Sequence, residues 1–463
     1  MSLYWHDYET FGIDPAGDRP AQFAGIRTDE ALNIIGEPLV IYCRPSDDML
    51  PQPESCLVTG ITPQKAFERG IIEAEFAAKI ERELAHPGTC GVGYNSIRFD
   101  DEFTRHLLYR NFFDPYAREW QNGCSRWDII DMMRLVRAFR PEGLAWPLDS
   151  DGRPSFRLEE LTSANGIAHE AAHDALSDVK ATISLAHLVK QKQPKLYDYV
   201  YRYRDKKLVA GLLALRAPLV HVSSMYPSEY GCTALVLPIA AHPVNRNEVV
   251  VFDLRYDPSD LLELDANEIK RRLFTPKDQL EVERIHLKTI HVNKCPIVAT
   301  EKLLTPEISA RLNIDIEKSH RHADRIRQAG GLEEKMAEVF GSREREAQRD
   351  PDLALYSGGF FSNADRAKME IIRSASPEKL ARLDLEFEDA RLSEMLFRYR
   401  ARNYPDTLDA QEKMRWESYR KSRLNETAEA YFKKIEAFRD SKNPAILGEL
   451  ETWGRRLLAE VAP

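Results

Sequence analysis

The chain has 463 residues, 43% of them hydrophobic and 30% charged, which is the composition of a globular protein with enough apolar side chains for two to four domains. Its six cysteines are scattered and form no C-x-x-C pair, so the sequence suggests neither a zinc site nor a disulfide framework and fits a reducing cytosol. No signal-peptide pattern opens the sequence, and the longest uncharged apolar run, near Thr233 to Ala241, is too short to span a bilayer. We therefore expect a cytoplasmic protein.

The formal net charge of −9 argues against a polyanionic partner, but the charges are unevenly distributed. Residues 1–60 hold ten acids and three bases, whereas residues 180–207 hold eight bases and two acids. The acidic segment is suited to metal ions and the basic segment to phosphate groups. A solvated helix face would explain the basic segment equally well.

Strand and helix patterns alternate over the first part of the chain. β-Branched and aromatic residues predict strands at 2–10, 21–28 and 34–44, and a short buried strand at 90–94. Helical periodicity predicts helices at 73–85, 99–111, 128–139, 158–164 and 175–192. This order indicates an α/β domain over residues 1–190, with helices flanking a mixed sheet.

The pattern changes twice after residue 190. Residues 191–345 contain mostly strand signals, among them PLVHVSSMY, TALVLPIA and NEVVVFDL, and predict a β-rich domain. Residues 350–463 are predicted to be helical, with Ser362 and Asp365 spaced as a capping box before the first helix. The polar stretch 340–352 is the predicted linker between these two domains.

Two carboxylates interrupt the first predicted strand, in the segment WHDYETFG. Because side chains alternate along a strand, Asp7 and Glu9 point the same way and repel each other. A third acid, Asp100, opens a helix directly after a strand, and HDALSD places His173 and Asp178 at the start of a long helix. Acids at such positions are suited to two divalent cations, whose charges cancel the repulsion. A neutral histidine beside them is suited to accept a proton from the attacking water.

Each of these residues also has a plainer explanation. A lone D-x-E pair on a strand is common on protein surfaces. Asp100 could simply favour the helix N-terminus, and His173 could bond a backbone carbonyl at the start of its helix. Asp101 fits the helix-start role better than Asp100 does, and we assign it no part in the site. The three motifs together, in this order and spacing, favour the metal site.

These motifs resemble those of the DEDDh exonuclease superfamily. They are HDYETFG, the N-x-x-x-F-D of residues 95–100, and the H-D-A-x-x-D of residues 173–178. The flanking segments are similar to the bacterial exonuclease I (exodeoxyribonuclease I) family, among them RPAQFAGIRTD, LPQPESCLVTGITPQ, YRNFFDPYAREW and PSFRLEELTSANGI. The resemblance covers nearly the whole chain, densely up to about residue 200 and thinly between residues 300 and 350.

The resemblance implies a fold, an activity and a set of site residues. The fold would be a ribonuclease H-like exonuclease domain with a mixed five-stranded sheet, followed by an SH3-like β-barrel domain and a helical C-terminal domain. The activity would be 3′→5′ degradation of single-stranded DNA to 5′-mononucleotides in DNA repair and recombination, with two Mg²⁺ ions that Mn²⁺ can replace. His173 would be the general base. The implied metal ligands are Asp7, Glu9, Asp100 and Asp178.

Further residues are implied as substrate contacts. Glu9, Thr10 and Phe11 would contact the terminal nucleotide. Arg157 would bind a phosphate, although it could equally pair with Glu160. The segment from residue 105 to 134 has the composition of a groove that holds phosphates and stacks bases, but its aromatics suit a core equally well. The candidates there are Arg105, Tyr116, Trp120 and Arg134. Lys206 and Lys207 either contact DNA as well, on a track that continues from this groove, or belong to a helical connector.

Two other functions would use the same core. An oligoribonuclease needs little beyond it, and the roughly 270 further residues argue against that function. A nucleic-acid-binding protein with an inactive core would lack a motif residue, and all five are present. The partners implied by the resemblance are single-stranded DNA and the acidic C-terminal tail of single-stranded DNA-binding protein, with Arg140 and Tyr199 as tail contacts. We expect a monomer with no membrane partner.

Overall fold

The computed structural model describes residues 1–169, 173–214, 216–341, 348–440 and 443–462. Part of the predicted linker at 340–352 therefore lies outside the described residues. None of the helices in the described ranges combines the length and the apolarity that crossing a membrane requires.

Strands and helices alternate up to residue 192, as the sequence predicts. The elements are β1 (Ser2–Thr10), β2 (Pro20–Thr28), β3 (Leu39–Tyr42), α1 (Pro53–Thr59), α2 (Pro63–Arg69), α3 (Glu73–Leu84), β4 (Thr89–Gly93), α4 (Asp100–Arg110), β5 (Ser125–Asp128), α5 (Ile130–Phe139), α6 (Leu158–Ala164) and α7 (Ala175–Lys192). The predicted helices at 73–85, 99–111, 158–164 and 175–192 are confirmed to within a residue at each end.

The middle of the chain alternates β-hairpins with short helices. Its elements are α8 (Pro194–Arg202), α9 (Lys206–Leu213), β6 (Leu219–Val222), β7 (Thr233–Ala241), β8 (Glu248–Asp253), α10 (Ser259–Glu263), α11 (Ala266–Phe274), β9 (Leu287–His291), β10 (Ile297–Thr300), α12 (Pro306–Arg311), α13 (Ile316–Gln328) and α14 (Leu332–Val339). The strand segments match the predicted ones. The helices between and after them are additional to the sequence prediction.

The last part of the chain is helical, as the sequence predicts. Its helices are α15 (Asn363–Ser374), α16 (Pro377–Leu380), α17 (Arg391–Asn403), α18 (Ala410–Ala437) and α19 (Pro444–Glu460). The predicted N-cap of α15 is confirmed, since the Ser362 hydroxyl oxygen accepts a hydrogen bond from the Asp365 N–H at 3.2 Å.

The first sheet is mixed and has β1 at its centre. Its five strands lie in the order β3-β2-β1-β4-β5, with β1 antiparallel to β2 and parallel to β4. A central strand with neighbours on both sides is buried, which explains why Leu3, Tyr4 and Trp5 are apolar and inaccessible. The predicted third strand at 34–44 was too long. The ladder of β3 is confined to Leu39–Tyr42, because Gly36 turns the chain with a φ of +81° and Pro38 follows it.

The second sheet is antiparallel throughout. Its five strands lie in the order β10-β6-β7-β8-β9. Leu219, Val236 and Val251 are buried within it, and α9 contributes Val209 and Leu213 to the same core.

The contacts divide the chain into two units. One unit comprises the described residues within Met1–Ser125, His169–Ile183 and Arg345–Pro463, and the other comprises those within Arg126–Ala168 and Ser184–Glu344. In the first unit, Phe11 and Cys56 share a core with Leu424, Leu450 and other residues of α18 and α19. The C-terminal helices therefore complete a core that begins in the first sheet. The predicted division into domains at 1–190, 191–345 and 350–463 stays a prediction.

Candidate active site

The two acids of β1 lie beyond the strand's parallel partner. The ladder with β4 ends at the pair Trp5↔Val92, so β1 continues past the end of β4 before it reaches Asp7 and Glu9. Alternation places both carboxylates on one side of the strand. Asp7 is half-buried and Glu9 is 6% exposed. Two acids held this close in a buried setting require a compensating charge.

Asp100 lies next to β1 because a short connection leads from β4 into α4. After Gly93 the chain turns through Asn95, whose φ is +61°, and a 3-10 turn at Ser96–Arg98 leads into α4. Asp100 is the first residue of α4, and its Oδ1 accepts a hydrogen bond from the Tyr8 N–H at 3.0 Å. This bond ties the start of α4 to β1, between the two strand acids.

Helix α7 supplies the fourth acid. Asp174 precedes the helix, and its carboxylate accepts a hydrogen bond from the Ser177 N–H at 3.1 Å. Asp178 follows in the first turn of α7, and its own N–H bonds the Asp174 carbonyl at 3.0 Å. His173 lies just before this cap, exposed and with a φ of +64°. The start of α7 therefore presents a carboxylate and an imidazole at one edge.

Burial and the charges of neighbouring acids raise the pKa values of the two strand acids, Asp7 and Glu9. Single ligand atoms of Asp7, Glu9 and Asp178 all lie within 4.8 Å of one another. Burial raises the pKa of Asp7 well above its ordinary value, and the charges of Asp100, Glu9 and Asp178 raise it further. Burial, followed by the charges of Asp178 and Asp100, raises the pKa of Glu9 to about 8. This cluster is suited to bind cations with hard oxygen ligands.

A cleft of about 360 Å³ opens over the acids. It is lined by all five motif residues and by Thr10. The lining also includes two exposed apolar side chains that the motifs do not mark, Ile13 and Val58, at 80% and 57% exposure. Polar acids at the floor and apolar side chains at the rim can hold a charged group beneath a flat apolar one.

Phe11 is buried rather than part of the cleft lining. It is 1% exposed and belongs to the core shared with α18 and α19. The Phe11 side chain therefore has no exposed surface for its predicted contact with a nucleotide. Asp101, to which the sequence assigns no part in the site, pairs with Arg118 at 2.7 Å, both side chains being at most 2% exposed.

Three predicted DNA contacts lie together in the first unit. The Arg105 guanidinium bonds Glu102 and Glu119, each at 2.7 Å, and lies 5.3 Å from the centre of the Tyr116 ring. Trp120 is 63% exposed. The structure adds two aromatics from the segment before α15. Tyr356 accepts a hydrogen bond from Arg105 at 3.1 Å, and Phe360, 83% exposed, meets Tyr116 with 6.1 Å between ring centres.

The remaining predicted contacts belong to the second unit. Arg134 pairs with Asp131 and lies 5.5 Å from the Phe156 ring, and Arg157 is 72% exposed with Glu159 and Glu160 at 3.8 Å. Arg140, Lys206 and Lys207 are exposed. Tyr199 donates to the Val298 carbonyl at 2.8 Å and stacks on Tyr203. Their predicted roles stay predictions.

The sequence prediction missed a second histidine at the acid cluster. The Nε2 atom of His169 lies 2.5 Å from Asp178 Oδ1, and its side chain is 6% exposed. The motif alone does not reveal His169, because His169 precedes the H-D-A-x-x-D segment of residues 173–178.

Three family models match the chain in succession. The model described as Exonuclease matches residues 4–186, the Exonuclease I SH3-like domain matches residues 204–342, and the Exonuclease I C-terminal domain matches residues 349–457. The α/β region with its mixed sheet, the β-rich region and the helical region therefore correspond to an exonuclease domain, an SH3-like domain and a helical C-terminal domain. The predicted fold class is confirmed.

The same assignment holds for whole proteins. The chain is 47% identical over 469 residues to exodeoxyribonuclease I of Haemophilus influenzae, covering 99% of both chains. Its fold matches the solved structure of exonuclease I from Methylocaldum szegediense with a TM-score of 0.94 and 52% identity, covering 99% of both chains. It also matches Escherichia coli exonuclease I in complex with a dA16 oligonucleotide, with a TM-score of 0.95, 46% identity and coverage of 98% of this chain and 99% of that one. Sequence and fold agree along the full length, and the chain belongs to the exodeoxyribonuclease I family.

Proposed function

We propose that this protein hydrolyses single-stranded DNA from its 3′ end and releases 5′-mononucleotides. The observation that carries the proposal is the convergence of Asp7, Glu9, Asp100 and Asp178 in one cleft with His173 at its edge. These acids come from three different elements, so neither strand pairing nor helix capping explains why they meet. A buried acid cluster supplies metal ligands and an exposed imidazole supplies a general base, and metal-assisted phosphodiester hydrolysis needs both.

The donor set fits a hard divalent cation, and we propose Mg²⁺, with Mn²⁺ as a substitute. Carboxylate oxygens are the ligands that Mg²⁺ prefers, and the raised pKa values of Asp7 and Glu9 reflect burial and, after it, repulsion between the acids, which a bound cation would relieve. When bound, a pair of such ions would neutralise charge at the scissile phosphate and activate water. Asp7, Glu9, Asp100 and Asp178 would hold them. A solved E. coli exonuclease I–DNA complex contains zinc, which supports metal binding by this family.

His173 is proposed as the general base. Its side chain is exposed at the cleft that contains the acids, so an imidazole nitrogen can accept the proton of the attacking water. Ile13 and Val58 would pack against the terminal base while Thr10 and Glu9 contact its sugar. Such contacts are indifferent to base identity, as a nuclease without sequence choice requires.

Binding of the remaining strand is assigned to two groups of side chains. In the first unit, bases would stack on the rings of Tyr116, Trp120, Tyr356 and Phe360. Arg105 forms ion pairs there with Glu102 and Glu119. In the second unit, Arg134, Arg157, Lys206 and Lys207 would contact phosphates. The E. coli relative is solved with bound oligonucleotides, which supports a single-stranded substrate. We infer that the biological role is DNA repair and recombination.

A partner is also proposed, the acidic C-terminal tail of single-stranded DNA-binding protein. One solved relative is described as a complex of that protein with exonuclease I and an inhibitor. Arg140 is exposed and could pair with tail carboxylates, and Tyr199, in the same unit, offers an aromatic face. We propose that the enzyme itself acts as a monomer.

RNA is the competing substrate. Oligoribonuclease of Shewanella frigidimarina is 27% identical, but over only 40% of this chain. A chain that shares only the nuclease core with RNA trimmers, and its whole length with DNA nucleases, is expected to prefer DNA.

The test compares three substrates of one sequence: single-stranded DNA, the same strand in a duplex, and single-stranded RNA. Released nucleotides are identified by chromatography. We expect 5′-deoxymononucleotides from the single strand at a rate at least about 100-fold above either alternative. Equal or faster release from RNA would contradict the proposed substrate.

A further inference from the structure

His169 holds one carboxylate of the acid cluster from inside the protein. Its Nε2 atom lies 2.5 Å from Asp178 Oδ1, and the imidazole is 6% exposed against 17% for the carboxylate. The two residues are nine positions apart and His169 precedes α7, so the periodicity of that helix does not impose the contact. A hydrogen bond this short and buried fixes the direction of the carboxylate.

The two histidines of this segment occupy different positions. Among the described residues, those lining the cleft include His173 but not His169. His173 is exposed, whereas the His169 imidazole is enclosed and contacts Asp178. His169 is therefore badly placed to reach a water or a phosphate and well placed to act on Asp178.

A carboxylate in this cluster needs a donor to hold it. Asp178 lies with Asp7 and Glu9 so that one ligand atom from each falls within 4.8 Å of the others. Repulsion from those acids would rotate an untethered side chain in the first turn of α7 away from the cluster. An N–H donor on one oxygen opposes that rotation and leaves the other oxygen for a cation. Outer partners of metal ligands act in this way in many metal sites.

We infer that His169 is a positioning residue, which donates its Nε2–H to Asp178 and sets that carboxylate for metal binding. This inference rests on the proposed metal-dependent function. It assigns His169 no contact with the reacting atoms, in contrast to His173. It also predicts that the donor is what matters, so that an amide with a similar reach can replace the imidazole.

The experiment measures binding of Mn²⁺ alone to the full-length protein, by electron paramagnetic resonance of the free ion, for His169→Leu, His169→Gln and His169→Asn. Gln can place an amide N–H where the imidazole Nε2–H lies, Asn is too short, and Leu has no donor. His187→Leu is the matched control, since His187 is exposed on α7. Circular dichroism and thermal unfolding in chelator establish that each variant is folded.

We expect His169→Leu and His169→Asn to weaken Mn²⁺ binding about 10- to 100-fold, and His169→Gln and His187→Leu to stay within about threefold of the parent. Turnover of His169→Leu should recover when Mn²⁺ is raised. If the Leu variant fails to fold, the comparison of Asn with Gln decides.

Two results would overturn the inference. Wild-type Mn²⁺ affinity in His169→Leu, or in His169→Asn, would show that the hydrogen bond does not set the ligand. If turnover is lost at every Mn²⁺ concentration while the affinity for Mn²⁺ is unchanged, His169 acts in the chemical step instead of positioning Asp178. Failure of the unsubstituted protein to bind Mn²⁺ would instead contradict the proposed function itself, so the two failures are distinguishable.

Discussion

The Glu9 side chain illustrates how the acid cluster shapes the protein at the scale of single residues. It is 6% exposed, and burial together with the charges of Asp178 and Asp100 raises its pKa from 4.5 to about 8. Folding therefore strengthens proton binding at Glu9. The stability that this proton provides is fully present below about pH 4.5 and is lost as the pH rises through about 8.

We predict that Glu9→Gln stabilises the metal-free protein at pH 8 and has little effect near pH 4. One pKa unit corresponds to about 1.4 kcal/mol, so a gain of about 2 kcal/mol or more in the free energy of unfolding is expected at pH 8. Urea unfolding in chelator at both pH values measures it. Glu68→Gln, at an exposed position on α2, is the control and should show no such pH dependence. Equal stability of Glu9→Gln and the parent at pH 8 would contradict this electrostatic description.

His173 gives a second prediction at this scale. His173→Ala should lower the rate of DNA cleavage by about 10²- to 10⁴-fold, because the proton of the attacking water loses its acceptor. Metal binding, measured by calorimetry, should stay close to that of the parent, since the cluster of ligand atoms comes from Asp7, Glu9 and Asp178. His187→Ala serves as the control. A loss of metal affinity in His173→Ala would assign His173 as a ligand instead of a base.

At the scale of elements, the segment before α15 contributes two aromatic side chains, Tyr356 and Phe360, that the sequence did not predict as DNA contacts. Phe360 is 83% exposed and lies edge-on to Tyr116, while Tyr356 bonds Arg105 and Glu102. An apolar ring held in solvent by a neighbouring ring has no packing reason to be there. The proposed base stacking would account for its exposure.

We predict that Phe360→Ala weakens binding of a long single strand by about 1–3 kcal/mol, which is roughly 5- to 100-fold. Fluorescence anisotropy in chelator measures the affinity without cleavage. Met414→Ala, at a 63% exposed apolar position on α18, is the control and should bind as the parent does. If Phe360→Ala binds the long single strand as tightly as the parent, Phe360 does not contact DNA.

Elements with a strong periodic pattern were predictable from the sequence, and those whose form depends on neighbours were not. Helices α6 and α7 begin and end where the periodicity indicates. Strand β5 was missed, because its four residues SRWD show no alternation and exist as a strand only through pairing in the sheet. The motif acids were identifiable from their spacing, whereas His169 and Phe360 depend on tertiary contacts that no spacing encodes.

At the scale of the whole molecule, buried charges tie the C-terminal helices to the N-terminal region within the first unit. Arg402 of α17 bonds Asp48 at 2.8 Å and Asp352 at 2.7 Å, and all three side chains are at most 5% exposed. Burial alone would raise the pKa of Asp48, but the charges of Arg402 and Arg423 outweigh it and hold that pKa below its usual range. A core shared by Phe11 and Leu450 adds apolar contacts.

We predict that Arg402→Met destabilises the protein by about 3–5 kcal/mol, because the buried carboxylates of Asp48 and Asp352 each lose their shortest ion pair. Arg415→Met removes an arginine of the next helix whose side chain is 56% exposed, and should cost less than about 1 kcal/mol. Urea unfolding of both variants measures the difference. Equal stability of the two would show that the buried network does not hold these segments together.

The most direct test of the central claim follows a 5′-labelled single strand through digestion by the full-length protein with Mg²⁺, with chelator, and with the Asp7→Asn variant. Because the label marks the end opposite to the proposed attack, we predict a ladder of labelled products that shorten stepwise with Mg²⁺. Chelator, or loss of the Asp7 charge, should reduce cleavage by at least about 100-fold. Early release of the label as a mononucleotide, or cleavage that persists in chelator or in Asp7→Asn, would contradict a metal-dependent nuclease acting from the 3′ end.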